Sequence, residues 1–187
     1  MKTLLSSVLT AGILLFITTL TFAQAPYLGS TADFVLFSTN GAVSNTGLSH
    51  LTGNVGTNNG SSTNFGNVNG GMHDGDTVSA KCAVDLLNAY NQLDTTTPTY
   101  SISHLLGNGD TLITGVYSIS QAATLNLDLT LDGEGNSNAV FIFLIEGAFA
   151  SNALSEIKLI NGALACNVFW KVEGAVNLAT GTSIKGT

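Results

Sequence analysis

The residues able to do chemistry in this chain are few and scattered. His50, His73 and His104 share no ligand spacing, and no HExxH, CxxC or H-x-H pattern occurs. Those spacings bring nitrogen or sulfur ligands onto one ion, so no metal or cofactor is expected; each histidine reads as a surface or turn residue. No G-x-S-x-G elbow exposes a nucleophilic serine. The 12 acids could supply a glycosidase pair, but few stand in apolar surroundings that would raise a carboxyl pKa. Asp132-Gly133-Glu134-Gly135-Asn136 places oxygens at alternate positions, like the opening of a calcium loop. Its sixth position is Ser137 rather than Gly and its twelfth is Phe143 rather than Glu, so a Gly-rich turn between strands is the better reading. Cys82 and Cys166 are the only cysteines. The pair fits a disulfide and equally two separate buried thiols. Nothing here points to turnover, and the chain reads as a non-enzyme.

Charge narrows the partners. Five lysines and no arginine stand against 12 acids, a net charge of −7. Phosphate neutralisation needs a basic face, so nucleic acid is excluded. There is no guanidinium fork for phosphate or carboxylate substrates. Charged residues are 9% of the chain and hydrophobic ones 44%, unlike a charged disordered segment. Gly, Thr, Asn and Ser fill the remainder, which suits many short strands and tight turns.

Residues 1–23 read as a secretory signal peptide: Lys2, an apolar run strongest over 11–16, then the small-x-small site Thr21-Phe22-Ala23. Hydroxyl residues interrupt the run and no basic flank follows, which speaks against a membrane anchor. Residues 24–187 are then one secreted, extracellular domain with no membrane contact, expected to be monomeric. Within it, Val78, Cys82, Leu86, Tyr90 and Leu93 follow a helical spacing, with Asp74 or Asp76 able to cap the start and Thr95-Thr96-Thr97-Pro98 ending it. On either side the pattern is strands. Residues 38–71 space single Leu, Val and Phe residues between turns. Val140–Ile145 is a continuous apolar run, a strand buried on both sides.

An internal repeat organises the C-terminal half. Val140-Phe141-Ile142-Phe143-Leu144-Ile145-Glu146-Gly147-Ala148 returns as Val168-Phe169-Trp170-Lys171-Val172-Glu173-Gly174-Ala175, with the Val-Phe pairs 28 apart and the Glu-Gly-Ala triplets 27 apart. Strands repeating at this period imply stacked coils, a β-solenoid. Glu146 and Glu173, at matching places, then look structural. Three segments share a pattern of Thr or Asn, a small residue, any residue and Ser: Thr46-Gly47-Leu48-Ser49, Asn152-Ala153-Leu154-Ser155 and Thr180-Gly181-Thr182-Ser183. Stacked at strand spacing, they could form one flat hydroxyl-bearing face; each alone could be an ordinary corner.

Several segments resemble secreted microbial ice-binding (antifreeze) proteins. They are Leu28–Phe34, Asn45-Thr46-Gly47, Thr52–Gly56, Leu87–Asn91, Thr114–Tyr117, Leu131–Asn136 with Asn138–Phe143, and Ala165–Trp170. The resemblance covers nearly all of 27–187. It implies an all-β fold, a right-handed, discontinuous parallel β-helix (β-solenoid) with triangular coils and one long α-helix packed alongside. It also implies adsorption to ice through one flat face carrying Thr, Ala/Gly, x, Thr/Asn. Carried over, that points to Thr46, Ser49, Asn152, Ser155, Thr180, Thr182 and Ser183, with Ser replacing Thr at several positions. The resemblance further implies a coil beyond Gly186-Thr187, so the expectation is either a fragment or a domain lacking its last C-terminal coil. The implied partner is the ice surface, held by a rigid array in which methyls order water while hydroxyls anchor it. A secreted polysaccharide-processing β-helix would want a groove with clustered acids, which is not found. A carbohydrate-binding or adhesin-type module without effect on ice growth is the alternative.

Overall fold

The computed structural model describes residues 23–187. All of the expected signal segment except Ala23 therefore lies outside the described residues. The chain winds into two stacks of short parallel strands joined by one helix. In the N-terminal stack, β1 (Phe34–Ser38), β2 (Val43–Ser44) and β3 (Leu51–Thr52) make the first coil. The second coil is β4 (Asn54–Thr57), β5 (Ser62–Thr63) and β6 (Val68–Asn69), and β7 (Met72–Asp74) opens a third before α1 (Thr77–Asp94). After the helix come β8 (Tyr100–Ser101), β9 (Leu105–Gly107) and β10 (Thr111–Leu112), then β11 (Gly115–Ile119), β12 (Ala123–Asn126) and β13 (Asp128–Asp132). The next coil is β14 (Phe141–Ile145), β15 (Phe149–Ser151) and β16 (Glu156–Ile160); β17 (Val168–Val172) and β18 (Val176–Asn177) follow.

Each coil thus has three sides, and like sides pair in parallel into three walls. The first wall is β1-β4-β7 in one stack and β17-β14-β11-β8 in the other. The second is β2-β5 and β18-β15-β12-β9; the third is β3-β6 and β10-β13-β16. This is the triangular, discontinuous β-helix with one helix alongside. The order of β17 to β8 shows why the helix is long. The chain leaves at β7 and restarts at β8, beyond a first wall of three and four strands. Seven strands at ~4.8 Å span about 29 Å, and an 18-residue helix covers about 27 Å. At the other junction Thr187 bonds Val168 and Trp170 of β17 through its backbone, and lines a cleft of about 260 Å³ with Asp33, Phe34 and Val35 beside β1.

The core forms inside the C-terminal triangle, where Phe141, Phe143, Ile145, Leu125, Leu129, Leu131 and Ile157 are fully buried. Tyr100, Tyr117, Phe143 and Trp170 stand in register on four coils, their rings stacked at centroid separations of 5.1, 5.3 and 4.1 Å. The same strand buries its other side: Ile142 and Leu144 pack outward with Val116, Phe169 and Leu93 of the helix. That is why Val140–Ile145 reads as continuously apolar.

The coil repeat is 27 residues through β14 and β17, with Phe141 opposite Val168 and Ile142 opposite Phe169. The matching Val-Phe pairs at 28 are therefore one place out of register. The Glu-Gly-Ala triplets at 27 mark the true repeat, and their glycines have a steric cause. A Cβ on Gly147 would lie 2.6 Å from the Ala122 backbone nitrogen, and one on Gly174 2.6 Å from that of Ala148. Successive coils touch backbone to backbone at this corner.

The helix begins where the sequence placed it. Asp76 is its N-cap, accepting from the Ser79 N–H while the Ser79 hydroxyl accepts from the Asp76 N–H. Its buried line is Ser79, Cys82 and Ala89, turned from the expected stripe so that Val78, Leu86 and Tyr90 are partly exposed. The cysteine pair is resolved as well. Cys82 is buried in the helix and Cys166 exposed in the 3-10 turn before β17, and both are free thiols. The disulfide is therefore corrected, and so is the picture of two buried thiols. Desolvation pushes the Cys82 thiol up to about 11, which makes it inert.

Candidate functional site

The three walls differ in what they show to solvent. The first is covered. Lys171, itself buried, projects from β17 to the helix, where it pairs with Asp94 at 3.0 Å and with Glu173. It also lies 4.7 Å from the Tyr90 ring centroid. Burial works against the Lys171 ammonium, but its bonds to Glu173 and Asp94 outweigh that and hold its pKa up. Nearer the helix start, Asp85 accepts from Lys81 at 2.6 Å and from the hydroxyl and N–H of Ser30. Those bonds, that from Lys81 foremost, hold its carboxyl far below the usual range.

The third wall is open and charged. Alternation along β13 and β16 sends Leu129, Leu131 and Ile157 inward and leaves Asp128, Thr130, Asp132, Glu156 and Lys158 outside. Lys158 pairs with Asp128 at 2.5 Å across neighbouring strands. The suspected calcium loop follows this wall. Asp132 Oδ1 accepts from the Glu134 N–H at 2.8 Å, closing the turn on itself.

The second wall is open and uncharged. Leu106, Leu125 and Phe149 point in. The outward positions read Ala122, Thr124 and Asn126 on one coil; Ala148, Ala150 and Asn152 on the next; and Ala175, Asn177 and Ala179 on the last. Rows repeat at the ~4.8 Å strand spacing and columns at roughly 6.6 Å, two residues apart. The corresponding wall of the N-terminal stack pairs Ser44 with Thr63, both exposed. Within these rows no side chain is charged, and only Leu105, opposite Thr124 on the first coil, is bulky. Short, stiff side chains on a hydrogen-bonded sheet have little rotamer freedom to lose when they meet another surface.

The residues singled out from sequence lie at the edge of this wall. All three segments occupy the corner between the second and third walls. Ser155 is fully buried, its hydroxyl donating to the Leu125 carbonyl at 3.1 Å, so it is removed from any surface array. Thr182 bonds Ser151 at 2.7 Å and the Ala179 carbonyl at 2.8 Å, tying the corner together. Ser183 bridges in parallel to Glu156 on the third wall. Ser49 donates to Asn45 at 2.8 Å within its own turn. Thr46, Asn152 and Thr180 are exposed. The glycines of two segments have a local cause: Gly47 at φ 87° and Gly181 at φ 76° are left-handed turn positions, and Gly181 stands against Leu154, left-handed at φ 62° and the residue after Ala153. The sequence held a better signal: two of the three outward rows begin at the alanine of a Glu-Gly-Ala triplet, at Ala148 and Ala175, and run on by alternation.

A family model described as Ice-binding-like matches residues 37–187. An ice-binding protein of Nostoc sp. (strain HG1) is 38% identical over 167 residues, covering 88% of this chain and 61% of that protein. The crystal structure of an ice binding protein from an Antarctic bacterium, Flavobacteriaceae, superposes with a TM-score of 0.86 at 60% identity, over 88% of this chain and 39% of that one. That of the Antarctic ascomycete Antarctomyces psychrotrophicus gives 0.83 at 32% identity, over 88% and 82%. The chain thus spans less than two thirds of the length of the first two. Among the described residues no helix is long and apolar enough to cross a membrane.

Proposed function

This chain belongs to the ice-binding-like family, and we propose that it adsorbs to ice crystals through the second wall, slowing ice growth and recrystallisation without any turnover. The observation that carries this reading is the contrast among three walls of one coil: one covered by the helix, one charged, and one an uncharged lattice of Ala, Thr, Asn and Ser. Ice offers only water to a binder. Recognition must come from spacing and stiffness rather than from a charged pocket. Methyls of Ala and Thr order the water beside them, and the Thr hydroxyl and Asn amides anchor it. A long charged side chain there would break the array and cost rotamer entropy. The bound protein then hinders advance of the ice front between adsorbed molecules. The expected partner is the crystal surface, met by a secreted monomer.

Single-crystal growth in a nanolitre osmometer tests the assignment. Thr124→Tyr, in the middle of the second wall, is expected to abolish the freezing gap and crystal faceting while the protein stays folded. Thr130→Tyr, the outward residue of the third wall on the same coil, is expected to leave both intact. Equal activity of the two variants would remove the second wall from the mechanism.

A further inference from the structure

A hydrogen-bonded asparagine ladder runs along the outer column of the second wall through Asn152 and Asn126, and ends on Asn108, which stands in the turn one residue past Gly107, the register partner of Asn126. The Asn152 amide donates Nδ2–H to Asn126 Oδ1 at 2.8 Å, and the Asn126 amide donates to Asn108 Oδ1 at 2.7 Å. Both bonds point the same way along the solenoid axis, from later coil to earlier coil. An asparagine amide has two N–H donors and a carbonyl with two lone pairs. The middle rung spends one of each on its neighbours and keeps one of each for solvent. An isolated exposed asparagine turns freely about its terminal torsion. Here each amide is fixed by the next, so the unused donors and acceptors face water in one repeated orientation. The ladder stops at the last coil, where Ala179 follows Asn152 in the column; there the Ser151 hydroxyl accepts from the Ala179 N–H at 2.9 Å instead.

We propose that Asn108, Asn126 and Asn152 act as one positioning unit for ice adsorption, a polar rail that holds the edge amides of the second wall at coil spacing in a single orientation. This rests on the second wall being the ice-contact face and adds how its edge is organised. The rail explains why an asparagine recurs at the third outward position of two successive rows, next to columns that carry only Ala and Thr on those coils. Its members act through one another. Removing the middle rung frees both neighbours, whereas removing Asn108 releases only Asn126.

The test is a double-mutant cycle read in ice recrystallisation inhibition, with the melting temperature followed in parallel. Asn126→Ala is expected to raise the concentration needed for inhibition about threefold to tenfold, the factor ordinarily carried by one net hydrogen bond. Asn108→Ala is expected to cost less. Asn126→Ala combined with Asn152→Ala should cost little more than Asn126→Ala alone, because the unit is already broken. Ala179→Asn should add a rung and lower the required concentration. Independent, additive losses with no gain from Ala179→Asn would overturn the rail, as would losses that follow the melting temperature. Ala150→Lys separates this from the parent reading. If Ala150→Lys abolishes inhibition while Asn126→Ala leaves it unchanged, the face stands and the rail falls. If Ala150→Lys itself is fully active, the face falls and the rail with it.

Discussion

The second and third walls of the C-terminal stack are built from the same coils and cover the same core, yet one is uncharged and the other carries charged side chains and an ion pair. Thr124 and Thr130 stand six residues apart on one coil and face two different surroundings: Ala150 beside the first, Lys158 beside the second. The scaffold therefore supplies flatness and repeat to both walls alike. What separates them is the choice of outward residue, since inward residues on both sides are the same kinds of aliphatic and aromatic core. On the proposed assignment, function on this fold resides in which outward column stays short and uncharged.

The largest expected effect comes from damage beneath both walls. Phe143 is fully buried between Tyr117 and Trp170 in the ring stack. Phe143→Ala leaves a cavity there and should cost about 3–5 kcal/mol, as buried Phe→Ala changes do. Denaturant melts should show that loss, and inhibition should fall with the folded fraction rather than with any change in the outward residues. A variant of unchanged stability would mean that the ring stack is not what unites the two walls.

A smaller change should separate them. Gly174 sits at the corner entering the second wall, and a Cβ would meet Ala148 backbone atoms at 2.6 and 2.8 Å. Backbone has no rotamer to yield, so Gly174→Ala must part the coils at the row of Ala148 and Ala175. The expected cost is about 1–3 kcal/mol, typical of overpacking. Because that corner lies away from β16, ice-growth inhibition should weaken beyond the loss of stability, while hydrogen exchange along β13 and β16 stays as before. Faster exchange on the third wall instead would show that the corner serves both.

The same corner shows how far the sequence could be read. The helix, its cap at Asp76 and the doubly buried strand at 141–145 were legible, because 3.6-residue spacing, a capping acid and an unbroken apolar run each have one physical meaning. The solenoid was legible from Glu-Gly-Ala, a triplet enforced by backbone contact. The face was not. Its strands are two to four residues long, too short for alternation to stand out. The Thr-Gly segments that looked like a lattice owe their glycines to left-handed corners at Gly47 and Gly181, while in the Asn-Ala segment the left-handed residue is Leu154. Aligning them at 28 residues instead of the 27 seen through β14 and β17 added a one-residue slip, and in a strand a slip of one exchanges inside for outside. Ser155, expected on the face from the shared pattern, is buried.

The smallest expected effect contrasts the covered wall with the open second wall through pH. Carboxylates hold the helix in place. Asp76 caps it and faces His73 at 2.8 Å, while Asp74, on the strand just before it, ties β7 to Ser62 of β5. Asp85 binds Lys81 and Ser30; Glu173 takes Lys171 and the Tyr90 hydroxyl, with Asp94 beside them. Asp74, Asp76, Asp85 and Glu173 all have their pKa lowered, by Ser62, by the Ser79 N–H, by Lys81 and by Lys171 respectively. A carboxyl with a lowered folded pKa contributes its full stabilisation above its ordinary value, here 3.8 for the aspartates and 4.5 for Glu173, and loses it as pH falls toward the folded value. Acid should therefore loosen the helix below about pH 4, where those ordinary values lie. The outward rows of the second wall contain no group that titrates. Protection of the helix amides against hydrogen exchange, relative to free peptide at the same pH, should fall as pH drops below about 4, where the stabilisation from these carboxyls begins to be lost, while ice-growth inhibition at pH 3 persists as long as the coils remain folded. Inhibition that disappears in step with helix exchange, with strand exchange unchanged, would show that the covered wall takes part in adsorption after all.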